Sequence, residues 1–188
     1  MSLLKILKEN LDKRKPLICK GDFNCSENEL TSLVGSPKDV GGYFNCSENE
    51  LTSLVGSPKE VSGTFDCSYN ELESLQGSPT KVGGDFNCSE NKLESLEGCP
   101  KEVSGFNCSY NKLESLEGCP ETVGGYFNCS KNELESLEGC PTEVGGDFIC
   151  HSNKLTSLKG SPQRVDRDFV CNNNNNKLES LKGSPKFI

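Results

Sequence analysis

One period governs almost the whole chain. Phe23, Phe44, Phe65, Phe86, Phe106, Phe127, Phe148 and Phe169 recur at a step of 21 residues, once 20, and a Cys follows each Phe two positions later. A unit this short cannot bury an apolar face alone. It must stack on its own copies, so the chain winds into a solenoid in which each turn touches mainly its neighbours.

Further columns share the period. Leu30, Leu51, Leu72, Leu93, Leu113, Leu134, Leu155 and Leu178 each have a second Leu three residues on, and Pro37 to Pro185 recur with Val three residues after most of them. The unit reads P-x-x-V-x-G-x-F-x-C-S-x-N-x-L-x-S-L-x-G-x, and eight copies lie between Pro16 and Pro185. Two irregularities interrupt it: one residue is missing before Phe106, and two are added within Asn172 to Asn176.

In F-x-C the first and third residues point to one side of an extended segment, so Phe and Cys face inward from a short strand. The Asn three residues after Cys (Asn28, Asn49, Asn70, Asn91, Asn111, Asn132, Asn153) sits where the chain must turn. A stacked amide there can bond the backbone of neighbouring coils, which predicts a structural ladder. Proline in every unit removes a donor and fixes φ, so the Pro-to-Val segment is predicted to be extended.

At 188 residues with 32% hydrophobic content and no Trp, the chain suits a thin repetitive core. No apolar run reaches the roughly 18 residues of a membrane span. Met1 to Lys15 lacks a signal-peptide pattern, because Lys5 and Lys8 interrupt its Leu and Ile residues. A cytoplasmic setting is expected, and with it reduced cysteines. Ser2 caps a predicted helix from Leu3 to about Lys13, with Leu4, Leu7 and Leu11 on one face, and we read residues 1–15 as an N-terminal cap on a solenoid spanning 16–188. The chain stops in mid-register at Phe187 and Ile188, which predicts a parallel edge open to self-association.

The run FNCSENELTSL, Phe23 to Leu33, resembles the leucine-rich-repeat motif L-x-L-x-x-N-x-L-x-x-L, with Phe and Cys in the first two apolar places. The following G-x-P-x-x-V resembles the short proline-containing repeats of bacterial effectors, and the whole unit looks most like repeat proteins encoded by bacteriophages. The resemblance implies a mostly β, right-handed solenoid, with short parallel strands on the concave side and extended segments and turns on the convex side. If phage-encoded, the chain would act in the host cytoplasm.

Function must then lie in the displayed residues. The column before Phe holds Asp22, Tyr43, Asp85, Tyr126 and Asp147; the column between Phe and Cys holds Asn24, Asn45, Asp66, Asn87 and Asn128; Tyr69 and Tyr110 sit two residues after Cys, nearer the rim. We read these twelve as partner-binding. All four tyrosines fall in displayed columns, whereas eight of nine phenylalanines fall in the core column. Exposed Tyr offers a large contact area at low entropy cost. Surface variation and solubility are the plainer readings of the same columns.

Charge is also segregated. Residues 21–150 carry +7 and −23, whereas 1–20 carry +6 and −2 and 151–188 carry +7 and −3. Glu71, Glu73, Glu94, Glu97, Glu114, Glu117, Glu133, Glu135 and Glu138 stack on the flank, which implies a protein partner with a basic surface and disfavours direct nucleic-acid binding. The alternatives are an acidic DNA mimic that occupies a nucleic-acid-binding protein, and a purely structural, self-assembling repeat.

No chemistry-bearing motif emerges. A line of thiols one coil apart does not surround an ion, no C-x-x-C occurs, His151 is the sole histidine, and the glycines follow the repeat. Neither a cofactor nor a metal is expected, and the chain is read as a non-enzyme. Cys99, Cys119 and Cys140 replace Ser before Pro and are read as Ser-compatible there, though among the cysteines they are the better candidates for reactive thiols.

Overall fold

In the computed structural model, which describes residues 17–174 and 177–188, each repeat makes one turn with two strands of two residues. In chain order the strands are Ile18–Cys19 (β1), Phe23–Asn24 (β2), Asp39–Val40 (β3), Phe44–Asn45 (β4), Glu60–Val61 (β5), Phe65–Asp66 (β6), Lys81–Val82 (β7) and Phe86–Asn87 (β8). The second half continues with Glu102–Val103 (β9), Phe106–Asn107 (β10), Thr122–Val123 (β11), Phe127–Asn128 (β12), Glu143–Val144 (β13), Phe148–Ile149 (β14), Arg164–Val165 (β15) and Phe169–Val170 (β16). The even-numbered strands form one eight-stranded parallel sheet, the front wall. The odd-numbered strands form two four-stranded parallel sheets on a second, back wall. Pairing sets like on like: Phe44 opposite Phe65, Val40 opposite Val61. No helix occurs among the described residues; the N-terminal helical cap expected over 1–15 lies outside them.

The core follows the predicted columns. Phe44, Phe65, Phe86, Phe106, Phe127 and Phe148 are fully buried, with Cys, both Leu columns and Val packed around them. Successive Phe rings lie 5.3 to 5.9 Å apart between centroids. Each such ring contributes about 2–3 kcal/mol by leaving water. Front-wall bonds run from one coil to the next: Phe44 N–H to Thr64 O at 2.8 Å, Cys46 N–H to Asp66 O at 2.8 Å, Glu48 N–H to Ser68 O at 3.1 Å.

The asparagine ladder is present and more fully bonded than the sequence shows. Asn132 Nδ2 donates to the carbonyls of Cys108, Cys129 and Ser130 at 3.1, 3.1 and 3.3 Å, while its Oδ1 accepts Leu113 N–H at 3.0 Å. One amide thus joins two coils and closes its own turn. The second tight corner follows the paired leucines. Ser57 N–H bonds Leu54 O at 2.9 Å across Gly56, whose φ is +97°, the positive third-residue angle of a type II turn. A Cβ on Gly56 would also sit 2.7 Å from Val34 N of the preceding coil, so the position admits only Gly.

Burial has a chemical consequence. It pushes the thiols of Cys46, Cys67, Cys88, Cys108 and Cys129 well above their ordinary 9.0, and those of Cys25 and Cys99 up to about 12. A thiol that keeps its proton longer when folded stabilises the fold fully below its unfolded pKa and loses that contribution as pH rises toward the folded value. With nine buried cysteines, at about 1.4 kcal/mol per thiol per pH unit, one unit above pH 9 removes on the order of 12 kcal/mol, as much as a typical domain possesses. Circular dichroism is therefore expected to report cooperative alkaline unfolding between about pH 9 and 11, with a shallower loss of stability per pH unit when Cys67→Ala together with Cys108→Ala removes two of the titrating thiols. A β spectrum unchanged at pH 11 would contradict this.

Candidate binding surface on the front wall

The residues between Phe and Cys are only partly free. Asn24 and Asn45 accept the N–H of the residue two ahead, at 2.9 Å each to Ser26 and Ser47. Asp66, Asn87, Asn107 and Asn128 accept both the N–H and the Oγ–H of Ser68, Ser89, Ser109 and Ser130; for Asn128 the distances are 3.0 and 2.7 Å. These are Asx turns that take the chain out of the strand. Asn87 Nδ2 in addition donates to Asp66 Oδ2 at 3.2 Å. Half of this column's polar capacity is therefore spent on the backbone, which residue type alone does not show.

The same bonds explain His151. Where Asn gives way to Ile149 or Val170 no acceptor remains for a Ser hydroxyl, and the Ser is replaced as well, by His151 and Asn172. The paired change from FNCS to FICH and FVCN was the available signal. His151 Nδ1 lies 3.0 Å from Ser152 Oγ, and among the described residues no group of three His, Cys, Asp or Glu side chains is placed to hold a metal ion.

In the column before Phe, Asp22 and Asp147 also serve the backbone: their Oδ1 atoms accept the N–H of Tyr43 at 3.0 Å and of Asp168 at 3.2 Å. Tyr43 is 39% exposed. Tyr126 is half-buried, for its ring lies against Gly105, where an added Cβ would meet it at 2.4 Å. Burial, then the nearby carboxylates of Asp85 and Asp66, push its phenol up to about 12, so it stays a neutral donor through the physiological range.

The rim column has an unexpected backbone. Glu27, Glu48, Tyr69, Glu90, Tyr110 and Lys131 all adopt left-handed φ between 51° and 56°, directly before a ladder Asn. Each such residue costs about 1–2 kcal/mol relative to Gly, a strain held by the amide bonds beside it. Tyr69 and Tyr110 are 55% and 42% exposed, and Lys131 Nζ stands 4.0 Å over the Tyr110 ring and touches its hydroxyl. On the flank, ion pairs between coils tie Glu71 to Lys92, Glu133 to Lys154 and Glu138 to Lys159. Glu94, Lys112, Glu114 and Glu133 line one shallow depression there.

Cys99, Cys119 and Cys140 fill the Ser place as expected and do not form reactive thiols. Their Sγ–H groups donate to the carbonyls of Gly118, Gly139 and Gly160 at 3.0, 3.1 and 3.0 Å, in place of the hydroxyl that Ser57 gives to Gly77. Burial holds all three protonated, with Cys99 and Cys140 pushed up to about 12.

The chain thus folds as a leucine-rich-repeat solenoid of parallel strands. Among solved structures it is similar to YopM from Yersinia enterocolitica WA-314, with a TM-score of 0.63 and 23% identity over 89% of this chain and 41% of that one. The likeness is one of fold, and the chain spans well under half the length of that protein. No family model matches the chain, and no curated protein does.

The contact of Tyr126 with Gly105 gives a direct check on this surface. Gly105→Ala is expected to cost about 1–3 kcal/mol in urea unfolding through overpacking, and clearly less when Tyr126 is already Ala. Equal costs in the two backgrounds would mean that the ring does not rest there.

Proposed function

We propose that the chain is a protein-interaction module whose front wall and acidic flank dock a partner with a basic surface. The observation that carries this reading is the placing of Tyr43, Tyr69 and Tyr110, each 39% exposed or more, on displayed columns of a sheet whose phenylalanines are buried. The neighbouring Asn side chains, with Asp22, Asp66 and Asp147, give an oxygen to the backbone, so the tyrosines and the unpaired flank carboxylates are the larger share of the free recognition groups. The YopM-like fold supports an interaction role rather than a catalytic one. A phage origin, a host protein as partner, occlusion as mechanism and a cytoplasmic setting belong to the same proposal. So does self-association through the last coil, where Leu181, Phe187 and Ile188 are 67% exposed or more.

The test is capture of partner from the native host by the whole chain and by the Tyr43→Ala, Tyr69→Ala, Tyr110→Ala triple variant. A loss of more than about tenfold is expected, because interface tyrosines concentrate binding energy. Unchanged capture would move the interface off these columns. Acidic DNA mimicry is separated by salt: it requires binding that collapses between about 50 and 200 mM salt and that duplex DNA displaces.

A further inference from the structure

The missing residue before Phe106 leaves its mark on the back wall and the core at that coil. The front wall absorbs the loss, since Phe86 and Phe106 still pair in register. The back wall does not: β7 and β9 are unbonded, and the wall divides there into two sheets.

Hydrogen bonds locate the gap. Below the gap two residues in succession after Val bond the preceding coil, as Gly83 N–H does to Val61 O and Gly84 N–H to Gly63 O at 2.9 and 3.0 Å, and Gly124 and Gly125 do so just above it; after Val144 and Val165 the first of the two bonds is kept, from Gly145 N–H to Val123 O at 3.2 Å and from Asp166 N–H to Val144 O at 3.0 Å. After Val103 a single residue, Ser104, remains to do both. Its N–H goes to Gly84 O at 2.9 Å, the second of the two bonds, and the donor for Val82 O is the residue that is absent. Space confirms the assignment. A Cβ on Gly41, Gly83 or Gly145 would strike a carbonyl of the coil below at 2.2 to 2.3 Å, whereas a Cβ on Gly124, in the same column directly above the gap, would meet nothing within 4 Å.

The disturbance reaches the core. The Phe86–Phe106 step is the widest of the ring stack at 5.9 Å, against 5.3 to 5.5 Å elsewhere, and Phe106–Phe127 is tilted by 31°, against 16° or less elsewhere. Ser78 Oγ, whose counterparts Ser57 and Cys99 bond a glycine carbonyl of the next coil, is buried without a partner. The front, by contrast, stays closed. Asn111 Nδ2 still bridges to Cys88 O at 3.0 Å, and the Tyr126 ring covers Gly105.

We propose that the twenty-residue coil is a built-in seam: the solenoid flexes about its continuous front wall and opens between β7 and β9 before any other pair of coils separates. Stability in a stacked array is a sum of nearest-neighbour contacts, so the pair with fewest bonds opens first. Tyr126 lies on the hinge line, so the angle between the two halves governs how its ring is presented.

Hydrogen exchange on the full chain tests this without reference to any partner. Amides of Lys101–Val103, the donors on the β9 side of the seam, are expected to exchange at least about tenfold faster than those of Glu60–Gly63 and Thr122–Gly125. Inserting one Gly between Val103 and Ser104 restores the 21-residue step and is expected to remove the difference. Equal protection in the natural chain, or unchanged exchange in the folded insertion variant, would overturn the proposal. Should that variant fail to fold, removal of Gly145 makes the converse test: it is expected to create a second fast-exchanging break between β11 and β13, and undisturbed protection there would equally overturn it.

Discussion

Everything in this fold depends on how a coil that leaves the front wall satisfies its backbone while turning inside a stack. The ladder asparagine solves the problem with one side chain. Asn70, Asn91, Asn111 and Asn132 each donate to three carbonyls, one of them in the preceding coil, and accept the N–H of a buried Leu in that coil. Buried backbone groups without partners cost about 1–3 kcal/mol each, and no residue but Asn offers a donor and an acceptor at this reach. With the turn so closed, the Leu after it is held at the core and the Phe and Cys before it are held in register.

That closure also explains why the repeat can be so short. Strands of two residues would be marginal alone. Here each is continued by bonds from Cys and the rim residue, then by the amide, so an unbroken seam of hydrogen bonds runs the length of the front wall. Left-handed φ at Glu90 or Tyr110 and buried thiols at Cys88 or Cys108 are tolerable only within that frame.

Much of this was legible from period alone. The inward Phe and Cys, the Asn ladder and the extended Pro-to-Val segment follow from spacing and residue chemistry within one unit. What the sequence hid are relations between units. That Asn128 spends its oxygen on Ser130, that Cys119 acts as a donor to Gly139, and that one missing residue splits the back wall but spares the front all depend on which atoms meet across a step of about 5 Å. The candidate surface was legible in outline only. Tyr43, Tyr69 and Tyr110 are displayed, but Asp22, Asp147 and the Asn column each give an oxygen to the backbone, and Tyr126 is drawn down over a glycine that single-unit reasoning treats as a plain turn residue.

The most direct measurement of the ladder's role is the equilibrium stability of Asn132→Ala, at a fully formed middle coil. Removal of the side chain strands three backbone groups, Leu113 N–H and the carbonyls of Cys108 and Cys129, and a loss of at least about 3 kcal/mol is expected, larger than its few lost atoms would give by packing. A loss below about 1 kcal/mol, the cost of an ordinary surface substitution at most, would contradict the ladder as the interaction on which the solenoid rests.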